Sequence, residues 1–493
     1  MINVFNLRGN QRTSGELSRR EGGKIFGSGS RTPIAITLLV RNPAAKGKAQ
    51  IHYHDIGDYL SREEKLERIK KFASVMSPEM QLSSITPNED NDWLNQRDGL
   101  FDTFIPIGDK DNKDGKTVFV PFYSRGCASA RDAWVYNFSI DDLKKNISSM
   151  IDFYNDQIRT LRTNQEQKFD FDSTKISWSD TLKQRAAKKL PLKFDSSLIA
   201  TAMYRPFCKQ AFYYDKPVLE RTYQLPRIFP TPQTKNLVIC VSGIGVTKEF
   251  SAIITDIIPD LELIGKSQCF PLYYYESVDH DQLGLFDRSN KDYIRRDGVS
   301  DFILGRAKTL NPKITKEDIF YYVYGLLHSK EYKKRFSSDL KKSLPHIPFP
   351  EDFQQFKAFS KAGRDLAQLH LNYEDGEPCK EVIVSGVESG NFHVSKMRFI
   401  SKEDKRTIIF NESIRVENIP LAAYDYIVNG KSAIEWAMER YAITINPESK
   451  IVNDPNQCSE NPRYILELLL RLIQTSINTM KIVAKLPALN FPD

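Results

Sequence analysis

Between residues 204 and 227, basic side chains are interleaved with aromatic ones: Tyr204-Arg205-Pro206-Phe207, Lys209, Phe212-Tyr213-Tyr214-Asp215, Glu220-Arg221, Tyr223 and Arg227. A guanidinium takes phosphate oxygens or a guanine edge through two parallel N–H bonds, and an aromatic face stacks or wedges against a base. The pattern is that of a nucleic-acid contact surface. It is also that of a β-rich core with a few surface arginines, and composition alone fits the second better. A second pair, Arg125 and Arg131, flanks the glycine turn Ser124-Arg125-Gly126-Cys127 and leads into Asp132-Ala133-Trp134-Val135-Tyr136-Asn137-Phe138. That arrangement suits phosphate contact and an Arg–Asp structural pair equally. The lysines of residues 330–342 lie on a basic amphipathic helix and are candidates for sequence-independent phosphate contact.

Other combinations point to chemistry less well. Ser242-Gly243-Ile244-Gly245-Val246 has the glycines of a cofactor loop, but no acidic ribose partner follows at the usual distance. Asn42-Pro43-Ala44 and Asn461-Pro462-Arg463 lack the second proline and the aromatic of a loop that holds a flipped base for amine methylation. Gly430-Lys431-Ser432 resembles the end of a phosphate loop without its upstream glycine. His52 and His54 share a strand face, yet no cysteine or acidic ligand set accompanies them. Asp58 with Glu63-Glu64-Lys65 has the residue types of a nuclease centre but reads as a charged helix face. The acidic turn at 109–115 lacks the closing glutamate of a calcium loop. His328 reads as a packed aromatic, not a catalytic base.

The elements that would position these residues are legible from periodicity. Apolar runs at 2–7, 34–40 and 50–56 read as strands separated by Gly and Ser loops. Residues 61–75 form a charged helix, 87–114 a turn-rich stretch and 118–120 a short strand. In 141–161, Leu143, Ile147, Met150, Ile151, Tyr154, Ile158 and Leu161 fall on one helical face, the stripe of a packing helix. Residues 183–189 form a basic helix. Thr315 caps a helix whose third position is Asp318, and Ile319, Val323, Leu326 and Leu327 form its apolar stripe. A helix at 356–371, a hairpin at 392–419 and a short helix from Ser432 follow. In the last helix, 464–485, Glu467, Arg471, Gln474, Asn478 and Lys481 recur at three- and four-residue steps. A polar stripe of that kind belongs to an amphipathic helix and excludes a bilayer span; Asn461 is its expected N-cap, with Pro462 first in the helix.

The chain of 493 residues is long enough for several domains, and its 40% hydrophobic and 27% charged content is that of a globular protein. Seventy basic against 63 acidic residues permit nucleic-acid binding without establishing it, because clustering decides. Six cysteines without C-x-x-C spacing, and no signal peptide, suit a reducing cytoplasm.

Several motifs together carry a family resemblance. Asn6-Leu7-Arg8-Gly9-Asn10, Glu21-Gly22-Gly23-Lys24-Ile25-Phe26-Gly27 and Pro33-Ile34-Ala35-Ile36-Thr37-Leu38-Leu39-Val40 resemble the last part of the methyltransferase domain of large single-chain type ISP restriction-modification enzymes. Residues 124–138 are similar to the segment between that domain and the specificity domain. Residues 204–221 resemble the start of the target-recognition domain, which continues through 297–302, 314–329 and 345–350. Residues 429–436 and 451–455 resemble the family's C-terminal end.

The resemblance implies an α/β and α+β multidomain fold. Strands from the edge of a doubly wound methyltransferase sheet come first, then a mixed α/β target-recognition domain and a helical C-terminal part. The implied boundaries are 1–75 for the methyltransferase remnant, 76–195 for a connecting region, 196–350 for target recognition and 351–493 for the remainder of the specificity domain. The implied function is sequence-specific recognition of double-stranded DNA, presented to an adenine-N6 methyltransferase with its nuclease and helicase on an upstream polypeptide. Arg125, Arg131, Arg205, Lys209, Tyr213, Arg221 and Arg227 are the expected DNA contacts. No catalytic or metal residue is expected in this chain; S-adenosylmethionine would bind the upstream part. An inactive remnant of an interrupted gene and a docking subunit completing a split methyltransferase are the alternatives.

Overall fold

Every second side chain of Ile2–Arg8 (β1) is buried, with Asn3, Phe5 and Leu7 facing inward, so the apolar run becomes a strand with one covered face. The computed structural model describes residues 1–12, 15–27, 30–44, 46–111, 114–163, 170–278, 293–401 and 404–491. They divide into two compact units, Met1–Phe101 and Asp102–Asp493.

In the first unit β1 pairs antiparallel with Ile34–Leu39 (β2) and parallel with Ile51–Asp55 (β3), and β3 pairs antiparallel with Ser83–Ile85 (β4). The strand order is β2-β1-β3-β4, so the three expected strands are present and adjacent. β2 lies at an edge, with Ile36, Leu38 and Leu39 exposed. The glycine motifs around residues 9 and 22 are two turns that pack on each other. Gly9 donates its amide to Glu21 O (3.1 Å), and Asn10 donates to Glu21 Oε2 (2.9 Å). Gly22 has φ +70°, and a Cβ there would lie 2.1 Å from Leu60 O.

The charged helix Arg62–Phe72 follows a capping box in which Ser61 Oγ accepts from the Glu64 amide and Glu64 accepts from the Ser61 amide. Its Lys65 is buried and donates to Glu21 O (2.7 Å) and Gly23 O (2.8 Å), closing the carbonyl end of helix Gly15–Glu21. Asp58 pairs with Arg8 and Arg20. The residue types of a nuclease centre are therefore used for capping and bracing. His54 is half-buried and packs edge-on against Phe5 and Phe72.

Among the described residues the second unit holds three four-stranded sheets, two of which position the site, the third being formed by Ile383–Ser385, Arg415–Glu417, Ile408–Ile409 and Arg398–Phe399. The first runs Ala252–Thr255, Val238–Val241, Gln268–Pro271, Ser124–Arg125, antiparallel throughout. The second runs Ile258–Pro259, Ile199–Arg205, Cys208–Tyr213, Tyr136–Asn137. Helix Ile140–Thr163 lays Leu143, Ile147, Met150, Ile151, Tyr154 and Ile158 on this core; the side chain of Leu161 lies outside the described residues. One cluster of buried side chains includes residues from Cys127 to Cys269 and from Tyr373 to Ile473.

Helix Lys316–Leu326 starts at the expected capping box of Thr315 and Asp318. It crosses helix Phe353–Leu371 at Gly325 and Gly363, where a Cβ on Gly363 would lie 1.8 Å from Tyr321 O. Three expectations change. Residues 118–120 make only a single bridge, Phe119 to Val299. The basic helix splits into Lys330–Arg335 and Asp339–Lys342 around the buried Phe336. The last helix, Tyr464–Val483, starts where expected but is not capped by Asn461, whose Oδ1 accepts the Arg463 amide (3.0 Å) in a turn that leaves Pro462 ahead of the helix. Among the described residues no helix is long and apolar enough to cross a membrane.

Candidate nucleic-acid interface

Ser124–Arg125 closes one edge of the first sheet of the larger unit, opposite Gln268 and Cys269. Gly126 is required there, since a Cβ would lie 2.3 Å from Asp260 O. Ser124 is buried, and its Oγ accepts the Gln224 amide at 3.0 Å. A backbone bridge joins Ala128 to Arg221. These bonds bring Arg125 and Arg221, 96 residues apart in sequence, to the same margin of the sheet. Both side chains are exposed and have no carboxylate partner among the described residues.

Arg125 lies over the Tyr223 ring (5.7 Å to the centroid), and Arg227 lies over Phe122 (4.3 Å) and Tyr274 (5.5 Å). Phe122 and Tyr274 contact each other at 4.8 Å. Tyr274 belongs to the hairpin Tyr273–Ser277 with Tyr293–Asp297, where Arg295 lies over Tyr273 (4.2 Å). Arg296 Nε meets Glu276 Oε2 at 3.1 Å, and the same carboxylate is 3.7 Å from Arg227. Lys110 caps the Tyr123 ring (4.4 Å); partial burial, then the nearby Arg125 charge, pulls its pKa down. The result is a ledge of cations set over aromatic rings. Such contact holds a cation at the surface while its N–H groups remain able to meet a phosphate or base.

The remaining expected contacts sit elsewhere. Arg131 is 2% exposed. It donates to Ser129 O (3.0 Å), Val218 O, Ser177 O (3.3 Å) and Ser179 Oγ (2.6 Å), and burial lowers its pKa to about 10. Tyr213 is buried, its hydroxyl accepting the Asp195 amide at 3.1 Å. These two are interior ties, and the expected DNA contact does not fit them. Arg205 is bound to Asp260 (2.7 Å), which also accepts from Tyr136 OH (3.0 Å), while Tyr204 OH donates to Asp132 (3.0 Å). Burial disfavours the Arg205 cation, but the Asp260 carboxylate outweighs it and raises its pKa. Lys209 is paired with Glu374. Arg205 and Lys209 are thus internal braces whose charge is already matched. Lys110, Tyr273, Tyr274, Arg295 and Arg296 join the ledge beyond the expected contacts, and their signals in the sequence are the Tyr273-Tyr274-Tyr275 run and the Arg295-Arg296 pair.

In the Ser242–Val246 loop Gly243 donates its amide to Gly265 O and Gly245 to Lys341 O, both at 3.0 Å. Among the described residues no cluster of three or more metal-ligating side chains occurs.

Residues 118–468 match the family described as Type ISP C-terminal specificity domain. The chain belongs to the Type ISP family. It is 38% identical to the nuclease-deletion mutant of the Type ISP restriction-modification enzyme LlaGI, solved in complex with a DNA substrate mimic (TM-score 0.86, covering 99% of this chain and 36% of that one). It is 35% identical to the ATP-dependent Type ISP enzyme LlaBIII bound to DNA (TM-score 0.87; 100% and 31%). It is 28% identical to DrdV in its DNA complex (TM-score 0.83; 99% and 48%). This Type ISP chain thus spans about a third to a half of the length of these structures. No curated protein matches it.

Proposed function

We propose that this Type ISP chain selects the target sequence on double-stranded DNA through the cation-on-aromatic ledge of Arg125, Arg227 and Arg295 together with the neighbouring exposed Arg221. Phosphate contacts supply most of the affinity and orient the duplex, and a few guanidinium edges read bases in the major groove. The observation that carries this reading is the placement of the exposed Arg125 and Arg227 over Tyr223, Phe122 and Tyr274. The DNA in the complexes of the structural relatives supports it.

The first unit is read as the last strands of a doubly wound methyltransferase sheet. The S-adenosylmethionine site and the loop that holds the adenine are read as parts of the methyltransferase to which this chain presents DNA. The exposed apolar edge of β2 supports a docking role alongside DNA reading: Leu39 is 74% exposed, and an unpaired edge of that kind invites another chain.

The test is duplex binding by the chain in steps of salt, with the base sequence varied. Preference for one sequence that survives moderate salt supports the reading. Binding with no preference that disappears at moderate salt leaves only an electrostatic surface.

A further inference from the structure

At the opposite edge of the Arg125-bearing sheet, about 14 Å away across three strand spacings, strand Ala252–Thr255 borders a cavity of about 500 Å³. Lys330, Lys333, Lys334 and Lys341 line it against only two carboxylates, Glu249 and Asp425. Some lysines of this unit are matched, Lys209 by Glu374, Lys316 by Asp297 and Asp301 and Lys405 by Glu435, but these are dispersed, whereas the four here share one cavity. The four cavity lysines have no ion pair among the described residues. Lys333 is sunk into the wall, where burial pulls its pKa down. Four ammonium groups around one cavity outnumber its two carboxylates, and the excess positive charge favours an anionic ligand, most of all beside the desolvated Lys333.

Both glycine turns left unused by the proposed function frame this cavity. The Gly245 amide holds Lys341 through its carbonyl (3.0 Å). Asn429, beside Gly430, accepts from Lys248 Nζ (3.1 Å) and donates its amide to Ser251 Oγ (2.8 Å) in the cavity wall.

We propose that this lysine-lined cavity is a second binding site, separate from the ledge, for a phosphoryl-bearing anion: a backbone phosphate of flanking DNA or a free polyphosphate. Lysine suits this role as a compact cation that meets phosphate oxygens without a fixed plane.

The test titrates the full chain with inorganic tripolyphosphate by calorimetry at low salt, and with short and long duplexes by fluorescence anisotropy. The paired change Lys333→Gln with Lys334→Gln is expected to weaken tripolyphosphate binding by about tenfold or more, about 1.4 kcal/mol. Lys330→Gln with Lys341→Gln repeats the measurement should the first pair fold poorly. If long-duplex affinity and its salt slope fall as well, the anion is DNA backbone; if only tripolyphosphate binding falls, it is a free polyphosphate. Absence of tripolyphosphate binding, insensitivity to both pairs, or an equal loss from Lys188→Gln with Lys189→Gln on the exposed end of another helix overturns the proposal. Arg227→Ala separates the two sites: it is expected to weaken duplex binding and leave tripolyphosphate binding intact.

Discussion

The Arg205 guanidinium meets the Asp260 carboxylate at 2.7 Å inside the protein, and the Tyr136 hydroxyl holds the other carboxylate oxygen at 3.0 Å. An arginine beside aromatic rings in the sequence is here a brace between strand Ile199–Arg205 and the turn that follows Ile258–Pro259. Removing it strands a buried carboxylate. Arg205→Ala is expected to cost about 3 kcal/mol or more of stability, read as a fall in thermal unfolding temperature. Adding Asp260→Asn to that variant is expected to recover part of the loss.

The ledge arginines behave in the opposite way. Arg125→Ala and Arg227→Ala leave the unfolding temperature nearly unchanged, because their side chains are exposed. Each weakens specific duplex binding by about 1–3 kcal/mol where it touches a base, or lowers the salt slope by about 1 where it touches a phosphate. Anisotropy with target and scrambled duplexes distinguishes the two outcomes. Unchanged affinity in both variants would place the reading surface elsewhere.

Two buried histidines set an acid limit on stability. His328 Nδ1 lies 2.8 Å from Tyr324 O, and His370 bridges Tyr324 OH (2.6 Å) and Thr479 Oγ1 (3.0 Å) while stacking on Tyr426. Burial, with the Lys333 charge, lowers the His328 pKa to about 3, and burial holds His370 well below its ordinary value. Both are neutral in the folded chain, and unfolding lets them take up protons near pH 6.5. Their contribution is fully present above about pH 6.5 and is lost as pH falls toward 3, at up to about 1.4 kcal/mol per pH unit for each histidine. Denaturant titrations from pH 7.5 downward measure this; a flat profile between pH 6.5 and 4.5 would refute it.

The crossing of helices Lys316–Leu326 and Phe353–Leu371 depends on the missing side chain at residue 363. Gly363→Ala places a methyl group 1.8 Å from Tyr321 O and is expected to cost about 1–3 kcal/mol. Gly305→Ala, on an open helix face with nothing within 4 Å, is the control and is expected to be neutral or stabilising.

Much of the scaffold was legible because it rests on local rules. The strands of the first unit follow from apolar alternation. The Ile140–Thr163 helix follows from its apolar stripe, and the start of Lys316–Leu326 from a cap and its partner three residues on. The interface was only partly legible. In composition Arg131 and Arg227 are alike, each an arginine near aromatics; whether carbonyl oxygens or solvent surround it is decided by segments 46 to 87 residues away. Tyr273 and Arg295 meet only because a hairpin brings them together. Asn461 failed as a helix cap because its side chain closes a turn one step earlier.

The shared interior from Cys127 to Ile473 bears on how new specificities are built. A chimera joined at residue 195 or 350 would cut through side chains that interlock across the seam, so exchanging halves with a relative exposes two mismatched surfaces. Retargeting by altering ledge residues in place, or by transplanting the whole of Asp102–Asp493, keeps that interior intact.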